Sequence, residues 1–525
     1  MVVPEPRPWR AAGPRAARLA EAVRPLLARA VRAARLPPAV RSGSVHLPRL
    51  PRPRTVRTWQ YTAGAATAGL VLAAGVVTAA GPWDANGQRT AERLRAAAPE
   101  RAGGADHGAT AGGAPRPAPS AGPVLTALGA AADAVGTGKT AQEAPALPDV
   151  LGPLLDDPAL GDRHAAAVVD VTTGERLYDA DAGQALTPAS TTKIATAVAA
   201  LSALGPDHRL TTRTALDPDT RELVLVGGGD PTLTAHARTG GWAGLRQLAA
   251  DTARALRERG IRKVTLSYDT TLFTGPALHS IGVNDNLAPV SALTADEGRA
   301  DGSARGPAPR VSDPAADAAA KFARFLKSAG ITATPPGPSK AGTRAQTLAT
   351  VSSPPLSALV ERMLTNSDND IAEALARHTA LASGRPAGFA GGAQAIATQL
   401  RGLGLPMAGA AFHDGSGLDR ADRLTAGLLT GLLAKAADPD RPGLRPVLTG
   451  LPVAGFTGTL SGRYTDGAAG AVRAKTGTLT GVNTLAGTVV DQAGHLLAFA
   501  FLASDTSDAL AAQAALDRAA TALAG

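Results

Sequence analysis

The stretch Thr187-Pro188-Ala189-Ser190-Thr191-Thr192-Lys193-Ile194 begins an apolar run that reads as a helix from Ser190 to about Leu204, where Gly205-Pro206 ends it. Glycine supplies the terminal turn and proline cannot continue the helix. Residues three apart on a helix share a face, so the Ser190 hydroxyl and the Lys193 amine can meet. A serine here is also a plausible N-cap with a solvated lysine after it. Against that, a capping box wants Glu or Gln at the lysine's position, and a cation in the first turn opposes the helix dipole. The same placement, with burial, favours the neutral amine that a general base requires. Arginine stays protonated and could not serve. In a chain that uses arginine far more often than lysine, Lys193 stands out.

Two later stretches supply groups that an acylating serine lacks. Ser367-Asp368-Asn369 falls in a turn between two helical segments. Alone it reads equally well as a cap, with Asn369 or Asp370 starting the helix that carries Glu373. Lys475-Thr476-Gly477-Thr478 leads into a C-terminal hairpin, Asn483–Val490 and His495–Leu502. As a strand, its period of two puts the Thr476 and Thr478 hydroxyls on one side and Lys475 on the other. Gly477, lacking a Cβ, would let a substrate backbone approach closely. The three motifs in this order arise by chance on the order of once in a thousand such sequences.

Working outward, Ala165–Val171 and Glu175–Asp179 flank the turn Thr172-Thr173-Gly174 as a hairpin, and a helix over Asp508–Leu523 closes the chain. The region 206–350 separates the first two motifs. It carries strand-like Glu222–Val226 and Lys263–Tyr268, with helices near Trp242–Arg259 and Asp313–Ala329. Residues 84–147 are rich in Ala, Gly and Pro, as a flexible tether would be. Before them, Tyr61–Ala80 is twenty residues without a charge, about the length that spans ~30 Å of hydrocarbon. Arg52, Arg54 and Arg57 precede it, and Trp59, Tyr61 and Trp83 flank it. The positive-inside rule then predicts a membrane helix within 58–83, a basic cytoplasmic tail over 1–57, and everything after Trp83 outside. A signal sequence cleaved near Ala79-Ala80-Gly81 is the other reading, and it exports the same remainder.

Charge and composition exclude several classes. The net charge is +9, but residues 1–57 hold thirteen Arg against Glu5 and Glu21. The rest of the chain is close to neutral, so no nucleic-acid partner is expected. With no cysteine there is no disulfide, thiolate zinc site or thiol nucleophile. Gly136-Thr137-Gly138-Lys139-Thr140 resembles the end of a P-loop, but Asp133 stands where its first glycine belongs. Gly227-Gly228-Gly229 has neither phosphate-loop spacing nor a following helix. Ser416 between two glycines reads as a structural turn, and His413 beside Asp414 as structural rather than part of a triad. The scattered histidines include no His-Glu-x-x-His, so no metal is expected.

The three motifs are those of class A β-lactamases and penicillin-binding proteins. The interval of 177 positions from Ser190 to Ser367 is too long for a small β-lactamase. The chain resembles the D-Ala-D-Ala carboxypeptidase/endopeptidase family, the class C low-molecular-mass penicillin-binding proteins, which carry extra domains between those motifs. Residues 227–231, 288–293, Asp414-Gly415-Ser416-Gly417-Leu418 and Gly458-Thr459-Leu460 also match its pattern. The resemblance covers about 148–525, and the region is short around 299–312. It implies an α/β fold, a β-lactamase/transpeptidase-like domain with an antiparallel sheet flanked by helices and an inserted α/β region at 206–350. It also implies acyl transfer through an ester on Ser190, with Lys193 as base. Ser367 would relay a proton to the leaving nitrogen, with Lys475 close behind. Asn369 would bind the substrate amide and orient Lys193. Thr476, Gly477 and Thr478 would line the substrate site, the threonines holding the terminal carboxylate in the field of Lys475. The N–H groups of Ser190 and Thr478 would form the oxyanion hole. Implied partners are peptidoglycan stem peptides and cross-links, with β-lactams as inhibitors, and no cofactor is needed. The alternatives are a β-lactamase and a non-catalytic, membrane-anchored penicillin sensor. Oligomeric state is left open.

Overall fold

The computed structural model describes residues 146–464 and 467–525. The basic tail, the apolar segment Tyr61–Ala80 and nearly all of the tether lie outside the described residues. Among those described, no helix is long and apolar enough to cross a membrane.

The chain enters through helix α1 (Leu147–Leu155) and strands β1 (Arg163–Asp170) and β2 (Arg176–Ala180). Their turn forms because Asp170 accepts from the N–H groups of Thr172 and Thr173, while Gly174 takes a positive φ. Helix α2 (Thr192–Leu204) follows. The excursion that comes next holds β3 (Thr211–Leu216), β4 (Glu222–Val226), α3 (Leu245–Glu258), β5 (Lys263–Asp269), α4 (Pro314–Ser328), β6 (Thr332–Ala333), β7 (Gly337–Pro338) and β8 (Gln346–Ser352). Helices α5 (Leu356–Asn366), α6 (Asn369–Ala382), α7 (Phe389–Gly402) and α8 (Ala426–Ala437) come next. Strands β9 (Val472–Leu479), β10 (Val482–Val490) and β11 (Leu496–Ser504) and helix α9 (Ala509–Ala522) finish the chain.

Two sheets result. The first is fully antiparallel, in the order β2-β1-β11-β10-β9, so the first and last segments of the described chain share one sheet. Strands β10 and β11 are buried on both faces, which explains why they read as nearly continuous apolar runs. Period-two alternation divides β11 between two cores. Ala498, Ala500 and Leu502 pack with α2, α5, α6 and α8, while Phe499 and Phe501 pack with α1 and α9. The second sheet, order β6-β5-β4-β3-β8 with β7 on β5, is mixed: β3 pairs antiparallel with β4 and β8, and β5 pairs parallel with β4. Leu223, Leu225 and Leu266 bury against Leu248, Leu256, Phe322 and Leu326 of α3 and α4. It has its own core and arises wholly from chain between α2 and α5.

Two local readings need correction. Ser190 is not a helix cap. It sits in a single 3₁₀ turn, Ala189–Thr191, ahead of α2, and no side chain caps that helix. The cap of α6 is Asp368, neither Asn369 nor Asp370. Its extended backbone lets the carboxylate accept from Ile371 N–H at 3.0 Å, and Asn369 becomes the first helical residue, its side chain not used in capping.

Candidate active site

Three elements converge on one cleft of about 340 Å³. Its wall includes Ser190, Ser367, Asn369, Thr459, Thr476 and Thr478. The serine turn comes from the start of α2. The elbow between α5 and α6 supplies Ser367, which ends α5 in the left-handed conformation at φ 57°. Strand β9, an edge of the first sheet, supplies Lys475 to Thr478. Along β9, Lys475 is buried, Thr476 half-buried and Thr478 exposed, as the alternation predicts.

The two lysines lie beneath the cleft floor. Lys193 is fully buried, and its Nζ donates to Ser190 Oγ at 3.0 Å, Asn369 Oδ1 at 2.7 Å and the Ser416 carbonyl at 2.7 Å. Burial pulls its amine down to about 8, against the fields of Asp414, Glu373, Asp368 and Asp370, which hold it up. Lys475 is equally buried. Its Nζ donates to Ser367 Oγ at 2.9 Å and to the Thr476 carbonyl at 2.6 Å. Burial, then repulsion from Lys193, pushes it well below the ordinary amine range. No carboxylate opposes that shift. Of the two amines, Lys193 is the one with carboxylates to support a proton.

At Gly477 the space of the missing side chain is filled from within the protein. A Cβ there would fall inside the contact distance of Thr484 Oγ1, 2.7 Å from the Pro188 carbonyl oxygen and 3.1 Å from Ser190 N. The space belongs to the serine turn, which rests on β9. Thr484 of β10 donates to the same Pro188 carbonyl at 2.8 Å, fastening the turn to the sheet.

Several site residues carry weak sequence signals or none. Asn369 Nδ2 donates to the Asn286 carbonyl at 2.9 Å, so the amide is held from both ends. Thr459, within the noted Gly458-Thr459-Leu460, meets Thr476 at 2.9 Å. Asp414-Gly415-Ser416-Gly417-Leu418 is a structural turn, as expected, but it also delivers the Ser416 carbonyl to Lys193. Its acid pairs with His279, not with His413. Two buried groups bring acidic or imidazole donors together, His279, Glu373 and Asp414 in one and Glu297, Asp368 and Asp370 in the other. The protein itself supplies cationic partners there: Arg377 for Glu373, Arg310 for Asp370, and Arg299 and Arg362 for Glu297.

A sequence model of the D-Ala-D-Ala carboxypeptidase 3 (S13) family matches residues 149–309 and 300–523. The chain belongs to this family. The resemblance drawn from the three motifs is thereby borne out, and this S13 protein is a serine-type D-Ala-D-Ala carboxypeptidase by class. It is 38% identical to carboxypeptidase DacB of Mycolicibacterium smegmatis over 388 residues, 70% of this chain and 83% of the relative. It is 31% identical to a D-alanyl-D-alanine carboxypeptidase of Actinomadura sp. over 454 residues, 71% of this chain and 83% of the relative. The crystal structure of penicillin binding protein 4 (dacB) from Haemophilus influenzae matches with a TM-score of 0.59 at 23% identity, covering 70% of this chain and 97% of that one. The S13 peptidase thus shares its fold, helices around antiparallel and mixed sheets.

Proposed function

We propose that this S13 peptidase opens D-Ala-D-Ala bonds of peptidoglycan stem peptides and cross-links through an ester on Ser190, and that β-lactams trap the same serine. The observation that carries the assignment is the 3.0 Å contact between Ser190 Oγ and a buried Lys193 amine lowered to about 8. A base with a pKa near the working pH is the most efficient. Ser190 Oγ attacks the carbonyl as its proton passes to Lys193. The C–N bond breaks, the leaving nitrogen takes a proton through Ser367, and water then hydrolyses the ester. The N–H groups of Ser190 and Thr478 are the proposed oxyanion donors, each worth about 3 kcal/mol.

The lysines divide the proton between them. A terminal carboxylate arriving at Thr476 and Thr478 favours the ammonium form of Lys475, and repulsion at Lys193 then favours its free amine. Substrate binding therefore arms the base. Because β9 is an edge strand, its free side can accept a peptide as an added strand.

Two observations bear on the alternatives. Asp368 and Asp370, the carboxylates on the cleft wall, are engaged by Arg362 and Arg310. With no free carboxylate there among the described residues to activate water, a long-lived penicillin adduct is expected, unlike the rapid turnover of a β-lactamase. A sensor acylated by penicillin would need the same pair, so release of D-Ala from stem peptides is what separates the enzyme from a sensor. For location, the uncharged segment Tyr61–Ala80 behind Arg52, Arg54 and Arg57 supports an N-terminal anchor, with residues after Trp83 on the peptidoglycan side. Mass spectrometry of penicillin-treated wild type and Ser190→Ala tests the assignment. An adduct on wild type alone, with D-Ala released from stem peptides, is expected; equal adducts on both proteins remove Ser190 from the mechanism.

A further inference from the structure

The excursion between α2 and α5 reaches back to the general base. His279, in the loop after β5, is 4% exposed, and its Nε2 lies 3.0 Å from Asp414 Oδ2. Its ring stands edge-on to Phe389 of α7, centroids 5.0 Å apart, and Ile281 N–H donates to its Nδ1. Asp414, itself 1% exposed, accepts from the N–H groups of Ser416, Gly417 and Asp419. Those bonds shape the turn that aims the Ser416 carbonyl at Lys193 Nζ. The turn is wedged against the nucleophile: a Cβ on Gly417 would collide with the Ala189 carbonyl, one residue before Ser190. The same loop carries Asn286, whose carbonyl holds the amide of Asn369, the second partner of Lys193.

We propose that His279 is a positioning residue for the general base, its Nε2–H donor fixing the Asp414 turn against Lys193. This rests on Lys193 acting as base for Ser190. The charged groups around His279 are Asp414, Glu373 and Asp419, with Arg377 paired to Glu373 behind them. Around Lys193 they are Asp414, Glu373, Asp368, Asp370 and Lys475. Burial disfavours the imidazolium, but the hydrogen bond and charge of Asp414 outweigh it, and the ring's pKa is raised. Asp414 is held down at about 2 despite its burial, by the His279 bond and backbone N–H groups. Because Nδ1 accepts from Ile281 N–H, the ring donates to Asp414 through Nε2–H, and that donor holds the turn whose Ser416 carbonyl meets Lys193.

The signs follow. His279→Leu removes the donor to Asp414, so the turn loosens, the Ser416 carbonyl no longer supports the ammonium, and Lys193 releases its proton more readily, whereas His279→Gln can keep a donor to Asp414. Asp414→Asn removes the negative charge, so Lys193 releases its proton more readily. The test is the pH dependence of penicillin acylation of Ser190 in the full-length protein, with thermal melting to identify folded variants. His279→Leu should move the acidic limb down by about half a unit to one unit, and His279→Gln, keeping the donor, should return it close to wild type. Asp414→Asn should move it down. A purely structural role would lower the rate at every pH and leave the limb in place, and that result overturns the proposal. Should no variant fold, NMR of the His279 ring in the wild type decides, because a ring without a proton on Nε2 also overturns it. Wild type that forms no Ser190 adduct refutes the parent reading; an adduct with an unmoved limb refutes only the role of His279.

Discussion

Substituting Gly477 by alanine separates two explanations of the glycine in Lys475-Thr476-Gly477. A Cβ at 477 would sit 2.7 Å from the Pro188 carbonyl oxygen and 3.1 Å from Ser190 N, and closer still to Thr484 Oγ1. Rotating Thr484 does not help, because its branched side chain is buried and its hydroxyl holds Pro188 O. The carbonyl and the N–H are backbone and cannot rotate away. Relief requires the serine turn and β9 to part, by on the order of 1 Å, and a misplacement of that size at a reacting atom costs about 100-fold. Overpacking of this kind also costs about 1–3 kcal/mol. Stopped-flow acylation by a small chromogenic β-lactam should therefore slow by about two orders of magnitude in Gly477→Ala, with a fall of a few degrees in Tm. Gly477→Ala/Thr484→Ala, which removes one of the collisions, should recover part of the rate. If glycine serves mainly to admit the substrate backbone, the small β-lactam will react normally and only the peptide will be slowed. Acylation within about threefold of wild type refutes the reasoning.

Acylation of the wild type should rise about tenfold per pH unit below the Lys193 limb near 8 and level above it, since only the neutral amine removes the serine proton; a flat profile between pH 6 and 9 excludes Lys193 as base. Lys193→Arg should lose at least about 10³-fold at every accessible pH, because the guanidinium keeps its proton, and the same β-lactam assay reads it. Asp230, buried with Oδ2 unpartnered, is raised to about 6 by burial against the bonds from Thr232. A carboxyl raised in the folded state favours folding at low pH, and that contribution is lost as pH rises from about 4 through 6. Urea unfolding at pH 4.5 and 8 should show a loss on the order of 2 kcal/mol from this carboxyl in wild type and a smaller one in Asp230→Asn; equal losses refute it.

Local chemistry made much of this legible. The hairpin around Thr172-Thr173-Gly174, the strand Glu222–Val226 and the last helix need only neighbouring residues to form, and all lie close to where periodicity puts them. The cap of α6 was legible as a turn but not by residue, because Asn369 and Asp370 are as suitable as Asp368 in isolation. Asn369 is instead drawn to Lys193 and Asn286, contacts spanning 176 and 83 positions. The packing at Gly477 was not legible for the same reason: the place of its missing Cβ is filled by Pro188 and Ser190, which no local pattern puts there. His279 carried no signal, since a lone histidine in a loop acquires meaning only from the aspartate that faces it, 135 positions away.

By itself the sequence determined the reacting groups, their order and their spacing: a serine three residues before a lysine, a Ser-x-Asn elbow and a Lys-Thr-Gly strand. Those depend on side-chain chemistry and helical or strand period, both local properties. Tertiary structure alone decided which lysine has carboxylates to support a proton, what occupies the gap at Gly477, and that the excursion between α2 and α5 returns to brace the base. Each is a matter of burial and of charges brought close from distant parts of the chain, and desolvation and Coulomb energy depend on separation in space rather than along the chain.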